Sequence, residues 1–333
     1  MTARFFITID TEEDDWGEYR SSGFTVENIS QITRLQSLFD RYGAIPTYLV
    51  TYPVVTSEVA RRIFLEILAR DRCEIGAHCH PWNTPPFEEE ISVRHSMLCN
   101  LPRSTVQKKI AVLQNEISQS LGVVPTSFRS GRWGFGADVA AAIQQLGFRV
   151  DTSVTPCIDW TAYSGPDYRH APLCSYQFSP AGIQAPVPHG PLLEVPATIG
   201  FLQRNYELCR RIVGWRGAAS RLHVRGILER AGLVNLRWLS PELSSDKDML
   251  TLARTSLQRN CSYLNMTFHS TTLLPGRSPY VRTSADLERF LGSIEQVLKF
   301  AVDAGLVFSS LSQAAEDIRP EVHAPPAPLA ATS

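Results

Sequence analysis

Phe5-Phe6-Ile7-Thr8-Ile9-Asp10-Thr11-Glu12 starts as a short apolar run and turns abruptly acidic, with Glu13, Asp14 and Asp15 following. Phe5–Ile9 is strand-sized, and a run that is apolar on both faces belongs in a parallel sheet covered by helices. The same pattern recurs along the chain. Ile45–Val50, Cys73–Ala77, Thr126–Phe128, Phe148–Val150, Leu264–Phe268 and Leu306–Ser309 read as further strands. Between them apolar residues repeat at helical spacing: Ile32, Leu35, Leu38 and Phe39; the stripe within Ser57–Arg70; Val106, Ile110, Leu113, Ile117 and Leu121; then Ala137–Leu146, Met249–Arg259 and 284–303. Gly43 and Gly122 are placed to end two of these helices, and Ser104 or Thr105 to cap the start of one. Alternating strands and helices predict an α/β fold with a largely parallel sheet. Asp10, His78, Arg129 and Asp151 fall at the C-terminal ends of strands, the edge where α/β barrels and open α/β sheets build their sites.

The pattern loosens from Pro156 to about Trp238. Residues 160–200, rich in Pro, Gly, Tyr and Ser, suit loops or a small hairpin insertion, with helical segments following at about 205–213 and 218–231. The tail after about Arg319 is Pro- and Ala-rich and is expected to be disordered. With 32 basic against 33 acidic residues, a net charge of −1 gives no electrostatic case for nucleic acid or an anionic membrane. No apolar run approaches the ~20 residues that span a bilayer. Seven scattered cysteines with no C-x-x-C pair suggest reduced thiols rather than a disulfide framework. Together with an N-terminus that lacks the pattern of a signal peptide, they lead us to expect a cytoplasmic location.

Five short segments carry chemistry. In Thr8–Glu12, period-two geometry puts Asp10 and Glu12 on one face, where two carboxylates can hold a cation or divide the roles of metal ligand and proton acceptor. The other reading is a solvated acidic loop. In His78-Cys79-His80-Pro81-Trp82, imidazoles at i and i+2 of an extended segment point the same way and suit Zn²⁺ or a similar divalent ion. Cys79 then faces the opposite side as a packed thiol. Arg129-Ser130-Gly131-Arg132-Trp133 suits a carboxylate clamp beside a close-approach loop, or else a turn with solvated arginines. In Asp151-Thr152-Ser153 and Thr267-Phe268-His269-Ser270, an acid at one strand end can orient a histidine at another.

In this order, the segments resemble the five motifs of the polysaccharide deacetylase family, which shares a homology domain with the nodulation chitooligosaccharide deacetylase. The match spans about residues 5–155 and 240–312. It implies a distorted, incomplete (β/α) barrel of about seven strands, read here as one domain over 1–318 with an insertion at about 156–238 and a tail at 319–333. It also implies a metal-dependent hydrolase that removes an N-acyl (acetyl) group from an amino sugar or surface-polysaccharide precursor, with Zn²⁺ as the expected ion. Asp10, paired with Arg129, becomes the base. Glu12, His78 and His80 become the metal ligands, with Asp10 an alternative to Glu12. His269, oriented by Asp151, protonates the leaving amine. Trp82, Arg132, Trp133 and Ser270 fall on the substrate side. Trp82, Trp133 and Tyr280 either stack on sugar faces or pack in the core. Two positions depart from the family pattern: Thr11 stands where a second aspartate is usual, and Trp82 where the second histidine is usual. Two rival readings keep the scaffold: hydrolysis of a ring amide or ureide, and a non-catalytic carbohydrate-binding module.

Overall fold

β1 (Arg4–Thr11) is buried along nearly its whole length, and its two faces go to different places. Phe5, Ile7 and Ile9 enter the large apolar cluster under the helices. Phe6 instead meets Leu49 and Tyr263 of the neighbouring strands and also Val150 and Leu193, which belong to strands several places away in the sheet, so the sheet must curl to bring them together. The computed structural model describes residues 2–14, 17–203, 205–214, 234–259 and 261–317. Its other strands are β2 (Thr47–Val50), β3 (Glu74–Cys79), β4 (Ser127–Ser130), β5 (Val150–Asp151), β6 (Tyr176–Phe178), β7 (Leu192–Glu194), β8 (Ile199–Phe201), β9 (Leu236–Trp238), β10 (Tyr263–His269) and β11 (Val307–Phe308). The main sheet runs β10-β1-β2-β3-β4-β5-β7-β6, with β11 added to β1. From β10 to β7 every pairing is parallel, and β6 closes the edge antiparallel to β7. This is a mixed α/β fold with a distorted, incomplete barrel, as the resemblance implied.

The barrel interior is layered. At the bottom lie Phe6, Leu49, Val150, Leu193 and Tyr263. Above them a polar layer forms around fully buried Arg129. Its Nε donates to Thr152 O (3.0 Å), Nη1 to Asp10 Oδ1 (2.5 Å) and Thr267 Oγ1 (2.9 Å), and Nη2 to Thr8 Oγ1 (2.8 Å) and Thr152 Oγ1 (3.1 Å). All five guanidinium donors are satisfied, which is what makes a buried arginine tolerable. Asn265 completes this layer, accepting from Thr8 Oγ1 (3.0 Å) and donating to Thr152 Oγ1 (3.1 Å).

Helices over Ile32–Tyr42, Glu58–Leu68, Arg103–Leu121, Ala137–Gln145, Asp246–Gln258 and Ser284–Asp303 match the predicted periodic segments. Gly43 (φ 67°) and Gly122 (φ 71°) take the left-handed conformation that ends two of them. The long helix starts earlier than expected, with Pro102 at its N-cap and no side-chain cap from Ser104 or Thr105. Arg129 lies within β4 rather than just beyond a strand.

The region expected as an insertion is partly integral. β7 takes a parallel place beside β5 in the main sheet, while β8 and β9 form a separate antiparallel pair. The period-two signal there is only three residues long, too short to stand out between Pro and Gly. The helix near 205–213 is present as Tyr206–Gly214, whereas the segments at 218–231 and 319–333 lie outside the described residues. One expectation fails: Cys174 and Cys261 are joined in a disulfide 87 residues apart in sequence, so the thiols are not all reduced and the cysteine argument for the cytoplasm is lost. The pair forms because the end of one loop and the entry to β10 meet beside Tyr263, a proximity no spacing rule shows. Cys79 is a packed thiol as expected. Among the described residues no helix is long and apolar enough to cross a membrane.

Candidate active site and metal centre

His78 and His80 leave the end of β3 on one side of the extended chain, and both are buried. His78 Nδ1 lies 3.1 Å from Arg129 O and therefore donates to it. His80 Nδ1 faces Glu13 Oε1 at 3.5 Å, and Asn83 Nδ2 donates to the same carboxylate oxygen (2.8 Å). Asn83 Nδ2 also lies 3.3 Å from His80 Nδ1. With the Nδ1 proton of His78 held by Arg129 O, its Nε2 carries a lone pair and faces His80 Nε2 2.9 Å away. Two lone pairs cannot sit at that distance, so the gap between them is bridged by a proton on His80 Nε2 or by a metal cation. Glu12 Oε2 completes the group at 3.4 Å from His80 Nε2 and 3.8 Å from His78 Nε2. Glu12, His78 and His80 offer ligand atoms that all lie within 4.8 Å of one another, a set suited to a divalent ion. Burial pushes Glu12 up to about 7 and His78 down to about 3, so a cation would supply the charge that this site lacks.

Glu13 and Asp14, which follow Glu12, are buried rather than solvated, and Asp15 lies outside the described residues. Burial opposes the charge on Glu13, but His80 and Asn83 outweigh it and bring the carboxyl down to about 2. Asp14 accepts from Glu27 N (2.7 Å), Asn28 N (3.0 Å) and Asn28 Nδ2 (2.7 Å), tying the loop down. Ser270 was expected on the substrate side. It is fully buried and its Oγ accepts from Glu12 N (3.0 Å), so it holds the Glu12 backbone instead. The segment after His80 is fixed from below by Lys109, a buried residue of the Arg103–Leu121 helix. Its Nζ donates to Pro81 O (2.9 Å), Thr84 O (2.7 Å) and Pro86 O (2.6 Å), and pairs with Glu89 Oε1 (2.8 Å). Lys109→Met leaves those acceptors buried and unpaired, and is expected to cost about 3–5 kcal/mol in urea unfolding. A loss under about 1 kcal/mol would show that the loop does not depend on it.

Asp10 and His269 stand side by side on paired strands. Burial would raise Asp10, but Arg129 together with His78 and His269 holds it down at about 2. His269 Nε2 lies 3.7 Å from Asp10 Oδ2, across a gap open to the cleft. Its Nδ1 is held by Glu242 Oε2 (2.9 Å), and Glu242 Oε1 accepts from His269 N (2.9 Å) and Thr272 Oγ1 (2.6 Å). Burial disfavours the imidazolium, but Glu242 overcomes it and pushes His269 up to about 10.

Glu242, not Asp151, orients the histidine. The reason is strand alternation: Val150 and Thr152 point into the barrel, so Asp151 points away from it. Asp151 accepts from Ser153 N (3.0 Å) and Ser153 Oγ (2.8 Å) and lies against Glu194. Burial lifts Asp151 to about 6 and, with the neighbouring Asp151 charge, raises Glu194 well above the usual carboxylate range. Glu242 follows β9 in a turn, and its only sequence signal is an acid after Ser240-Pro241.

These groups open into a cleft of about 380 Å³ walled by Tyr19, Trp82, Trp133, Trp160, Trp238 and Tyr280. Trp82, although only 7% exposed, stacks on the His80 ring with centroids 4.2 Å apart. Trp133 lies under the Arg129 guanidinium (4.8 Å) and beside Trp238 (5.7 Å). Tyr19, Trp160 and Trp238 carried no motif and were not anticipated. The Gly131 turn packs directly on His80: a Cβ there would sit 2.3 Å from His80 Cδ2 and 2.8 Å from Cys79 O, so only glycine fits.

No family model matches the sequence, and no curated protein matches it. Solved structures do. A Mycobacterium smegmatis protein with a provisional polysaccharide deacetylase assignment is 16% identical, covers 98% of this chain and 96% of its own, and superposes with a TM-score of 0.51. A Parabacteroides distasonis protein provisionally described as a glycoside hydrolase/deacetylase is 12% identical, with 95% of this chain and 71% of its own covered at a TM-score of 0.60. The 4-alpha-glucanotransferase of Thermococcus litoralis is 10% identical, with 96% of this chain and 41% of its own covered at 0.51. One scaffold thus carries different chemistries, and function must be argued from the site. The comparisons establish the architecture: this chain has the distorted-barrel fold of the polysaccharide deacetylases.

Proposed function

We propose that the chain is a metal-dependent hydrolase that removes an N-acyl group, acetyl by preference, from an amino sugar or surface-polysaccharide precursor. One observation carries this reading: a candidate cation group (Glu12, His78, His80), a carboxylate paired with Arg129 (Asp10) and a histidine held by Glu242 (His269) converge in one aromatic-walled cleft. A divalent ion bound there, Zn²⁺ by its ligand set, would polarise the acyl oxygen and acidify water. Asp10 accepts the proton of the attacking water. A carboxylate held near 2 is a weak base, so it suits only water acidified in this way. Arg129 fixes the Asp10 carboxylate through Oδ1 and leaves Oδ2 toward the cleft. His269, kept charged by Glu242, delivers a proton from Nε2 to the departing amine. The tryptophans supply flat apolar faces that suit pyranose rings, which favours a sugar over a small ring amide. The two preformed acid–base pairs have no use in a binding module. The test is direct. Protein stripped by a chelator and titrated with Zn²⁺ should take up one equivalent, and should release acetate from N-acetylglucosamine oligomers only when reloaded. Undiminished release after metal removal would overturn the proposal.

A further inference from the structure

Arg132 is a cleft cation that the chemistry above does not use. Arg132 (φ 54°, ψ 25°) and Trp133 (φ 60°) are consecutive non-glycine residues in the left-handed region, where side chains with a Cβ are rarely found. The turn is locked by Ser130 Oγ donating to Gly134 O (2.8 Å) and Tyr168 Oη donating to Trp133 O (2.9 Å). This backbone turns both side chains into the cleft. The guanidinium lies 5.3 Å from the Tyr19 ring centre and 5.7 Å from that of Tyr163, and Nη1 donates to Ser96 Oγ (2.5 Å). No carboxylate lies within ion-pair distance of Arg132 among the described residues. The other cleft cations are matched, Arg129 by Asp10 and His269 by Glu242. Glu12 and the buried Glu13 face the two histidines and any divalent ion held there. Arg132 therefore remains a cleft cation without a carboxylate partner among the described residues, partly covered by two rings.

We propose that Arg132 docks an anionic group of the substrate, a carboxylate or a phosphate borne on the acylated sugar or on the unit joined to it. Calling that ligand a substrate rests on the hydrolase reading; the binding claim does not. A planar, rigid fork of donors suits either anion, and a charge-assisted pair of this kind is worth about 10- to 100-fold in affinity.

Full-length, Zn²⁺-loaded wild type, Arg132→Gln and Arg132→Lys should be compared for binding and acetate release with N-acetylglucosamine, N-acetylglucosamine 1-phosphate and N-acetylglucosaminuronate. We expect one anionic probe to bind wild type about 10- to 100-fold more tightly than the neutral sugar, and which one it is tells phosphate from carboxylate. Arg132→Gln should bring that ratio close to one, and Arg132→Lys, which keeps the charge without the fork, should fall between. Equal affinity of wild type for all three probes, or binding of none, overturns the proposal. So does a preference that survives in a folded Arg132→Gln, because the metal would then be its source. Arg132-dependent binding without acetate release keeps the anion site and removes the hydrolase reading. Equal acetate release from all three probes does the reverse.

Discussion

His78→Ala abolishes both metal binding and turnover, whereas His269→Ala abolishes turnover alone. The first is expected because His78 Nε2 is one of two imidazole ligands that face a common point, and among the described residues no third imidazole joins that group. Losing the cation removes several kcal/mol of charge stabilisation, on the order of a 10³-fold or greater fall in rate. Bound Zn²⁺ should drop from one equivalent to a small fraction, and the rise in melting temperature that excess Zn²⁺ gives the wild type should vanish, since a ligand stabilises only the fold that binds it. In His269→Ala the metal content and the Zn²⁺-dependent melting shift should persist, while acetate release falls about 10²- to 10⁴-fold through loss of the general acid. Metal analysis, melting curves with and without chelator, and turnover of the same preparations separate the two roles. A His78→Ala protein that still holds one equivalent would mean that the ligands lie elsewhere.

The legible part of this molecule is the part governed by period. The apolar run Phe5–Ile9 marked the buried strand, period two put Asp10 and Glu12 on one face, and the i, i+2 spacing of His78 and His80 was enough to aim both rings at one point. Position at a strand end, together with the resemblance, put Asp151 beside the histidine, and there the expectation fails. Asp151 ends a strand, but it ends it facing the wrong way, and only the partners of Val150 and Thr152 reveal that. Glu242 escaped notice for the opposite reason. It sits in a turn with no period, and its meaning comes from β9 and β10 being brought together across 27 residues of chain. Lys109 and Asn265 were hidden by composition. A lysine on a helix and an asparagine in a strand read as solvent-facing, and only the tertiary fold shows that each meets a full set of buried acceptors or donors.

Glu242→Gln should lower kcat about 10²- to 10⁴-fold at pH 8 and move the alkaline limb of its pH profile downward. The substitution is nearly isosteric, so the effect follows from proton placement. Oε1 of residue 242 must stay an acceptor, because His269 N and Thr272 Oγ1 both donate to it. The new amide nitrogen is therefore forced into the place of Oε2 and donates to His269 Nδ1, which can then carry no proton. The imidazole stays neutral, with its pKa falling from about 10 as burial, no longer opposed by the Glu242 charge, takes over. A general acid acts while protonated, so activity is lost as pH rises through its pKa, and that loss must come at lower pH in the variant. Stability carries the same sign. Because the folded pKa of His269 lies above its unfolded value, the charged pair stabilises the protein fully below about pH 6.5 and loses that contribution as pH rises toward 10. Metal-free wild type should therefore lose melting temperature across that interval more steeply than Glu242→Gln does. Wild-type and variant profiles that superpose in both kcat and melting temperature would show that Glu242 only packs against the histidine and does not set its charge.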